Sequence, residues 1–467
     1  MSPERASAPV AAPDRSPGLL RQLGVGTATA LVVSNMIGTG IFTATGFLAG
    51  DLARVDLIFA VWIVGAVCAL AGAFCYSELG MNFPSSGGDY VYLTHAYGPS
   101  WGFMTGWISF VAGFSAPIAA AALAFSDYLG YFIPALKQEN SWFTFGGGAF
   151  EIRVGGAQGM ACSLILFLTV LNVFGVQRVA RFQNVFTSFK VLVVVSFIVL
   201  GFLVGNGSWQ HFQMSAARSS SVPLFQQFAI SLFFIYGSYS GWNAATYVAE
   251  ELRKPERTLP VALAVGTFVV TLLYMGFNAV FIYSMPLEQM KGVLAIGALS
   301  ASRLFGAEVA GLFGALMALS LVSTVNAMVT IGPRVYYAMA KNRAFVASAA
   351  RVHPRWHTPV NAILWQGVAS MLLTFTPFQG LFLYIGATLN LFACLAVASL
   401  FVLRKRPGWR RLAVVDFLYP LTPVTFLVIS AWTFLVGIQL KPAVILATVL
   451  TAAAGALVYH FRIRERS

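Results

Sequence analysis

The chain has 467 residues, of which 58% are hydrophobic and only 10% charged, with a formal net charge of +13. A soluble domain carries about 25% charged residues, so the composition excludes a soluble globular fold and describes a polytopic membrane protein. The basic residues lie in short loops between apolar runs, where membrane orientation accounts for them better than nucleic acid binding does.

Residues 1–22 are rich in Pro, Ala and Ser and have no apolar core, so they read as a disordered tail and not as a secretory signal. Twelve apolar spans follow, with approximate limits 23–49, 57–80, 99–131, 157–174, 183–205, 223–250, 261–284, 305–341, 358–376, 378–402, 417–437 and 442–460. Each is long enough to cross a bilayer, which takes about 20 residues, allowing for tilt. With the N-terminus inside, the inner loops and tails hold 21 of the 29 Lys and Arg residues and the outer loops 7. That asymmetry predicts cytoplasmic termini. Cys68, Cys75, Cys162 and Cys394 all fall inside spans, which argues against a disulfide framework.

The first span contains Asn35-Met36-Ile37-Gly38-Thr39-Gly40-Ile41-Phe42 at its centre. Glycine costs about 1 kcal/mol against alanine in a helix interior. Unpaired backbone in lipid costs several kcal/mol per group and is tolerated only under protein or beside a water-filled cavity. Two readings stand on these residues alone: close helix packing through small residues, or a break whose free N–H and C=O groups grip a polar ligand. The sixth span has a counterpart, Tyr236-Gly237-Ser238-Tyr239-Ser240-Gly241-Trp242-Asn243. Interrupted helices at matching positions of two halves point to a secondary transporter with inverted repeats. The expected organisation is all-α: repeat 1 over 23–205, repeat 2 over 223–402, two further helices over 417–460 and a short cytoplasmic tail over 461–467.

These motifs, with Tyr76-Ser77-Glu78-Leu79-Gly80, Pro84-Ser85-Ser86-Gly87-Gly88-Asp89-Tyr90 and Glu250-Glu251-Leu252, make the chain resemble the amino acid–polyamine–organocation (APC) transporter superfamily. Within it, the resemblance is to the L-type amino acid transporter family and its bacterial relatives, over about residues 20 to 410. It implies five-plus-five inverted repeats, two extra helices, and alternating access around a central amino acid site in the plasma membrane.

An α-amino acid presents a carboxylate and an ammonium that both need partners. The N–H groups of Gly38, Thr39, Gly40 and Ile41, at a half-helix N-terminus, suit the carboxylate. The carbonyls of Asn35, Met36, Tyr236 and Gly237 suit the ammonium, and the resemblance implies the same division. Tyr239, Trp242 and Asn243 are candidates for the side-chain pocket and gate, with helix packing an equal reading for Trp242. The family's eukaryotic members often carry a gating aromatic that aligns here with Gly237, which leaves Tyr236 as a candidate substitute.

Lys190 lies inside the fifth span, and an intramembrane lysine is costly and usually functional. At about 10 Å depth, by 1.5 Å per residue, snorkelling to the edge stays open. The resemblance implies that this lysine stands where sodium-coupled relatives of the fold hold a cation, donating to first-span carbonyls and to Ser320, Ser323 or Thr324 of the eighth span. Transport without sodium is therefore expected, by exchange or proton symport. No acidic side chain falls mid-span in helices one, three, six, eight or ten, which favours neutral amino acids over cationic ones or polyamines. No catalytic triad, P-loop or His/Cys cluster is present, so neither enzyme, cofactor nor metal centre is expected. The family's animal members join a glycoprotein through a cysteine after the third span. Residues 134–156 contain none, so no disulfide-linked partner is expected.

Overall fold

The computed structural model describes residues 23–463, apart from 85–86, 147–150, 175, 343 and 357; the side chains of 176–187, 250–251, 338 and 462–463 also lie outside the description. The expected tails, except 461–463, therefore fall outside the described residues, as does the side chain of Glu250.

The first apolar run forms two helices, α1 (Val25–Met36) and α2 (Thr39–Asp51), bent by 41° at their junction. Then come α3 (Val55–Asn82), a short α4 (Asp89–Tyr97), α5 (Pro99–Leu129), α6 (Gly156–Val173) and α7 (Val176–Leu203). The second half opens with α8 (Leu224–Tyr239), which runs into a 3-10 helix over Ala244–Glu251. It continues with α9 (Pro255–Ser284), α10 (Ile296–Phe305), α11 (Ala307–Lys341), α12 (Val360–Leu373) and α13 (Phe378–Leu403). Two last helices, α14 (Leu421–Leu440) and α15 (Pro442–Phe461), complete the bundle. A small antiparallel hairpin, β1 (Ser141–Phe145) with β2 (Ile152–Gly155), sits between α5 and α6.

Among the described residues, eight helices are long and apolar enough to cross a membrane, or nine with the bent first pair. The shorter apolar helices include Val360–Leu373 and α10, the latter lying where the sequence reads as an outer loop. The sixth apolar run is shortened because its helix stops at Tyr239.

Lipid, not water, explains the outer surface. Leu203, Leu272, Leu372 and Leu435 are all exposed, and a soluble monomer rarely shows such contiguous apolar surface. The interior is built by close helix approach through small side chains. Ala119, Ala120, Ala121 and Ala122 of α5 are fully buried, and α5 packs on α11. The first broken pair lies against the second: Leu23 pairs with Leu252, and the Arg253 N–H donates to the Leu23 carbonyl at 2.9 Å.

Candidate functional site

Helix α1 ends because Ile37 (φ −68°, ψ 92°) and Gly38 (φ −141°, ψ −150°) both leave the helical region. Helix α2 restarts at Thr39 with no side-chain cap. The N–H groups of its first turn therefore present a half-helix N-terminus, with roughly half a positive charge, at the break.

The second break lies three to four residues later than Gly237. Gly237 and Tyr236 stay within α8, and the chain departs at Ser240 (φ −51°, ψ 137°). Gly241 follows at φ +98°, a conformation that only glycine adopts without strain. A Cβ on Gly241 would stand 3.0 Å from the Asn35 carbonyl carbon and oxygen. The two breaks thus meet at Asn35 and Gly241. They also touch where Gly40 crosses Ser238, since a Cβ on Gly40 would lie 2.4 Å from the Ser238 Cα.

The Tyr274 hydroxyl of α9 fastens this junction. It sits 2.5 Å from the Met36 carbonyl and 2.9 Å from the Ser238 carbonyl, at the ends of α1 and α8. A hydroxyl has one proton, so it donates to one of the two at a time.

Beside the junction is a cavity of about 130 Å³, roughly ten times the volume one water needs and suited to a small solute. Of the residues singled out from the sequence, Asn35, Tyr236, Tyr239, Trp242 and Asn243 line it. Gly38, Thr39, Gly40, Ile41, Met36 and Gly237 are not among its walls. Asn35 turns its amide N–H₂ to the Leu31 carbonyl (2.9 Å). The Tyr239 hydroxyl donates to the Trp62 carbonyl (3.3 Å). Trp242 stacks edge-on against Tyr76, and its ring fills the space left by Gly72 of α3, so it both packs and lines the cavity.

Lys190 is fully buried. Its ammonium donates to the Ser34 carbonyl at 2.8 Å and to the Thr324 hydroxyl at 3.4 Å. It therefore joins the end of α1 to the middle of α11 and does not reach the protein surface. Ser320 of α11 is engaged locally: its hydroxyl donates to the Leu316 carbonyl (2.9 Å) and its carbonyl accepts from Thr324 (3.4 Å). Ser323 is buried on the same helix.

The amino acid permease family profile matches residues 23–454. The chain belongs to the amino acid permease family. Its similar relatives include the large neutral amino acids transporter small subunit 2 of Homo sapiens, 29% identical over 89% of this chain and 76% of the relative. The serine/threonine exchanger SteT of Bacillus subtilis (strain 168) is 26% identical over 95% of this chain and 97% of the relative. The b(0,+)-type amino acid transporter 1 of Mus musculus is 27% identical over 92% and 85%. The resemblance to APC transporters of the L-type and their bacterial relatives thus stands, and this is a permease family and not an enzyme family.

Three features of this permease are not apparent from span residues alone. One is Tyr274, which no motif marks. Another is an aromatic stack beside Gly237. A Cβ on Gly237 would stand 3.1 Å from the ring of Phe382, so α13 supplies an aromatic where α8 lacks one. Phe382 stacks with Phe234 and Phe378, and Phe47 stacks with both of those. Phe47 and Phe378 line a second cavity of about 700 Å³. The third is Asp89. It opens the short α4, outside the long helices, yet it lines the first cavity. Burial pushes its carboxyl up to about 6, partly offset by the neighbouring hydroxyls of Tyr76 and Tyr247.

Glu78 is fully buried at the end of α3. Both of its oxygens accept from Arg404 at 2.7 Å, and it also accepts from Trp409 Nε1 (2.8 Å) and the Leu412 N–H (3.2 Å). Every lone-pair direction of that carboxylate is engaged, and the segment after α13 is thereby locked to α3.

Proposed function

We propose that this permease carries neutral L-amino acids across the plasma membrane by alternating access, without sodium, by exchange or proton symport. The observation that carries the reading is the Lys190 ammonium held between the Ser34 carbonyl and the Thr324 hydroxyl. An ammonium at that position removes the need for a sodium ion to join the two helices.

In this reading the N–H groups of Gly38, Thr39, Gly40 and Ile41 take the carboxylate. The ammonium takes carbonyls at the two breaks. Asn35 is favoured over Met36, whose carbonyl already faces Tyr274. On the second break, Tyr236 and Gly237 lie within α8, and the carbonyls of Tyr239, Gly241 and Asn243 accept from Trp242, Ala244 and Thr246, so Ser240 and Trp242 are better placed. Because Gly40 is covered by Ser238 here, the carboxylate donors open only when α2 and α8 move apart. The supporting frame is twelve spans, as inverted repeats over 23–205 and 223–402 with two helices over 417–460, and both termini cytoplasmic. The tyrosine and tryptophan walls favour an uncharged substrate side chain. The Phe47, Phe234, Phe378 and Phe382 stack is the outer closure.

The names of relatives support this reading: a large neutral amino acids transporter small subunit and a serine/threonine exchanger both handle uncharged side chains. No disulfide-linked partner subunit is needed, since Cys68, Cys75, Cys162 and Cys394 all lie within helices. The test is uptake of labelled leucine, serine and arginine by purified protein in liposomes, with sodium or with choline. Equal uptake of a neutral amino acid in both salts is the expected result. Strict sodium dependence overturns the role of Lys190, and uptake confined to arginine overturns the neutral substrate class.

A further inference from the structure

The carboxylate of Asp89 sits in an environment that no structural need explains. Its loop reaches the cavity because Gly88 turns at φ +48° and packs its bare Cα against the Tyr247 ring; a Cβ there would lie 2.5 Å from that ring. Tyr247 then donates its hydroxyl to Asp89 Oδ2 at 3.3 Å. Asp89 Oδ1 is buried with no hydrogen-bond partner. The hydroxyls of Tyr76, from α3, and Tyr92, from α4, are buried beside the same carboxylate. Among the described residues, no Lys, Arg or His forms a salt bridge to Asp89. Buried polar groups are normally satisfied, and a buried carboxylate normally has a cation beside it. Asp89, Tyr76 and Tyr247 line a cavity whose walls also include the broken-helix junction at Asn35 and Gly241. The chemistry that satisfies an orphan carboxylate ringed by phenol hydroxyls is a small organic cation.

We propose that Asp89 captures the ammonium of the amino acid at the end of the cavity that opens beyond α3, as the substrate passes between the central site and the cytoplasm. This deepens the transport reading and rests on it. Every α-amino acid carries an ammonium, so the group serves transit whatever the substrate side chain. Tyr247 is a positioning residue: it holds one carboxylate oxygen and leaves the other without a hydrogen-bond partner. Capture requires the ionised carboxylate. With a carboxyl raised to about 6, the group is ionised above that pH and neutral below it, so capture is present at neutral pH and lost as the pH falls through 6. The groups that face it from neighbouring elements are Tyr76, Tyr92 and Tyr247, none of which titrates in that range.

The test compares everted membrane vesicles, which expose the cytoplasmic face, with right-side-out vesicles. The wild-type chain must first transport a labelled neutral amino acid in both; if it does not, the transport reading fails and Asp89 is not at issue. Asp89→Asn keeps the shape and can still accept from Tyr247, and size-exclusion chromatography in detergent confirms its folding. In everted vesicles at pH 7 it is expected to raise the half-saturating amino acid concentration about tenfold, with little change in right-side-out vesicles. n-Butylamine, an ammonium without a carboxylate, should inhibit wild-type uptake in everted vesicles and inhibit the variant several-fold less. The wild-type half-saturation should rise between pH 7 and pH 5, and that of Asp89→Asn should not. Tyr247→Phe should give a smaller rise with the pH dependence retained. An equal effect of Asp89→Asn in both vesicle orientations, or unchanged half-saturation and amine inhibition, overturns the proposal.

Discussion

Lys190 is held by one carbonyl and one hydroxyl, both uncharged. A buried ammonium without a counter-charge is costly, so its retention is a functional expense and not a gain in stability. Replacing it with methionine, of similar length, removes the charge without opening a cavity. Lys190→Met should leave thermal stability equal or higher and lower liposome uptake by at least tenfold. Uptake at the wild-type rate in that variant would return the lysine to a structural role. The chemistry of Lys190 was legible in the chain because an apolar run makes any lysine conspicuous. Tyr274 was not legible, because tyrosine in a membrane span carries no signal until its partners are known.

At the scale of elements, the structure reinterprets the glycines. Gly40 was open to two readings, ligand approach and helix packing, and the close crossing with Ser238 gives the packing reading direct support. A valine there collides with backbone and not with a mobile side chain. Gly40→Val is therefore expected to lower the melting temperature as well as transport, as read by thermal unfolding in detergent. Tyr274→Phe is the milder probe of the same junction. It strips the donor from Met36 and Ser238, and a buried carbonyl left unsatisfied costs about 1–3 kcal/mol. A moderate fall in melting temperature and a larger fall in transport rate are expected. Far from the junction, Arg404→Met leaves Glu78 buried without its cation. Breaking a buried pair in this way costs about 3–5 kcal/mol, so that variant should lose folded protein at temperatures the wild type survives. The second break was displaced from its expected place for a physical reason. Glycine at 237 can stay helical, and of the two glycines it is Gly241 that takes a positive φ.

Across the whole molecule, the phenylalanine stack borders the second cavity through Phe47 and Phe378, and its Phe382 ring covers Gly237. Phe382→Ala should thin that barrier. A cysteine placed at Gly237, with the native cysteines replaced, is expected to react several-fold faster with an impermeant thiol reagent added outside when Phe382 is alanine. No change in labelling would move the closure elsewhere.

What the amino-acid order determined by itself was the solvent and the chemistry at single points. Apolar runs require a bilayer, glycines inside those runs mark weak helix positions, and a lysine among them must find oxygen partners. These are local consequences of hydropathy and backbone energetics. Only the tertiary structure decided which carbonyls remain free, because Met36 and Ser238 compete for one hydroxyl from α9. Only it brought Phe382 to Gly237 and Asp89 to the cavity wall. Those groups come from helices and loops far apart along the chain, and their meeting depends on how the helices pack, which no stretch of residues specifies alone.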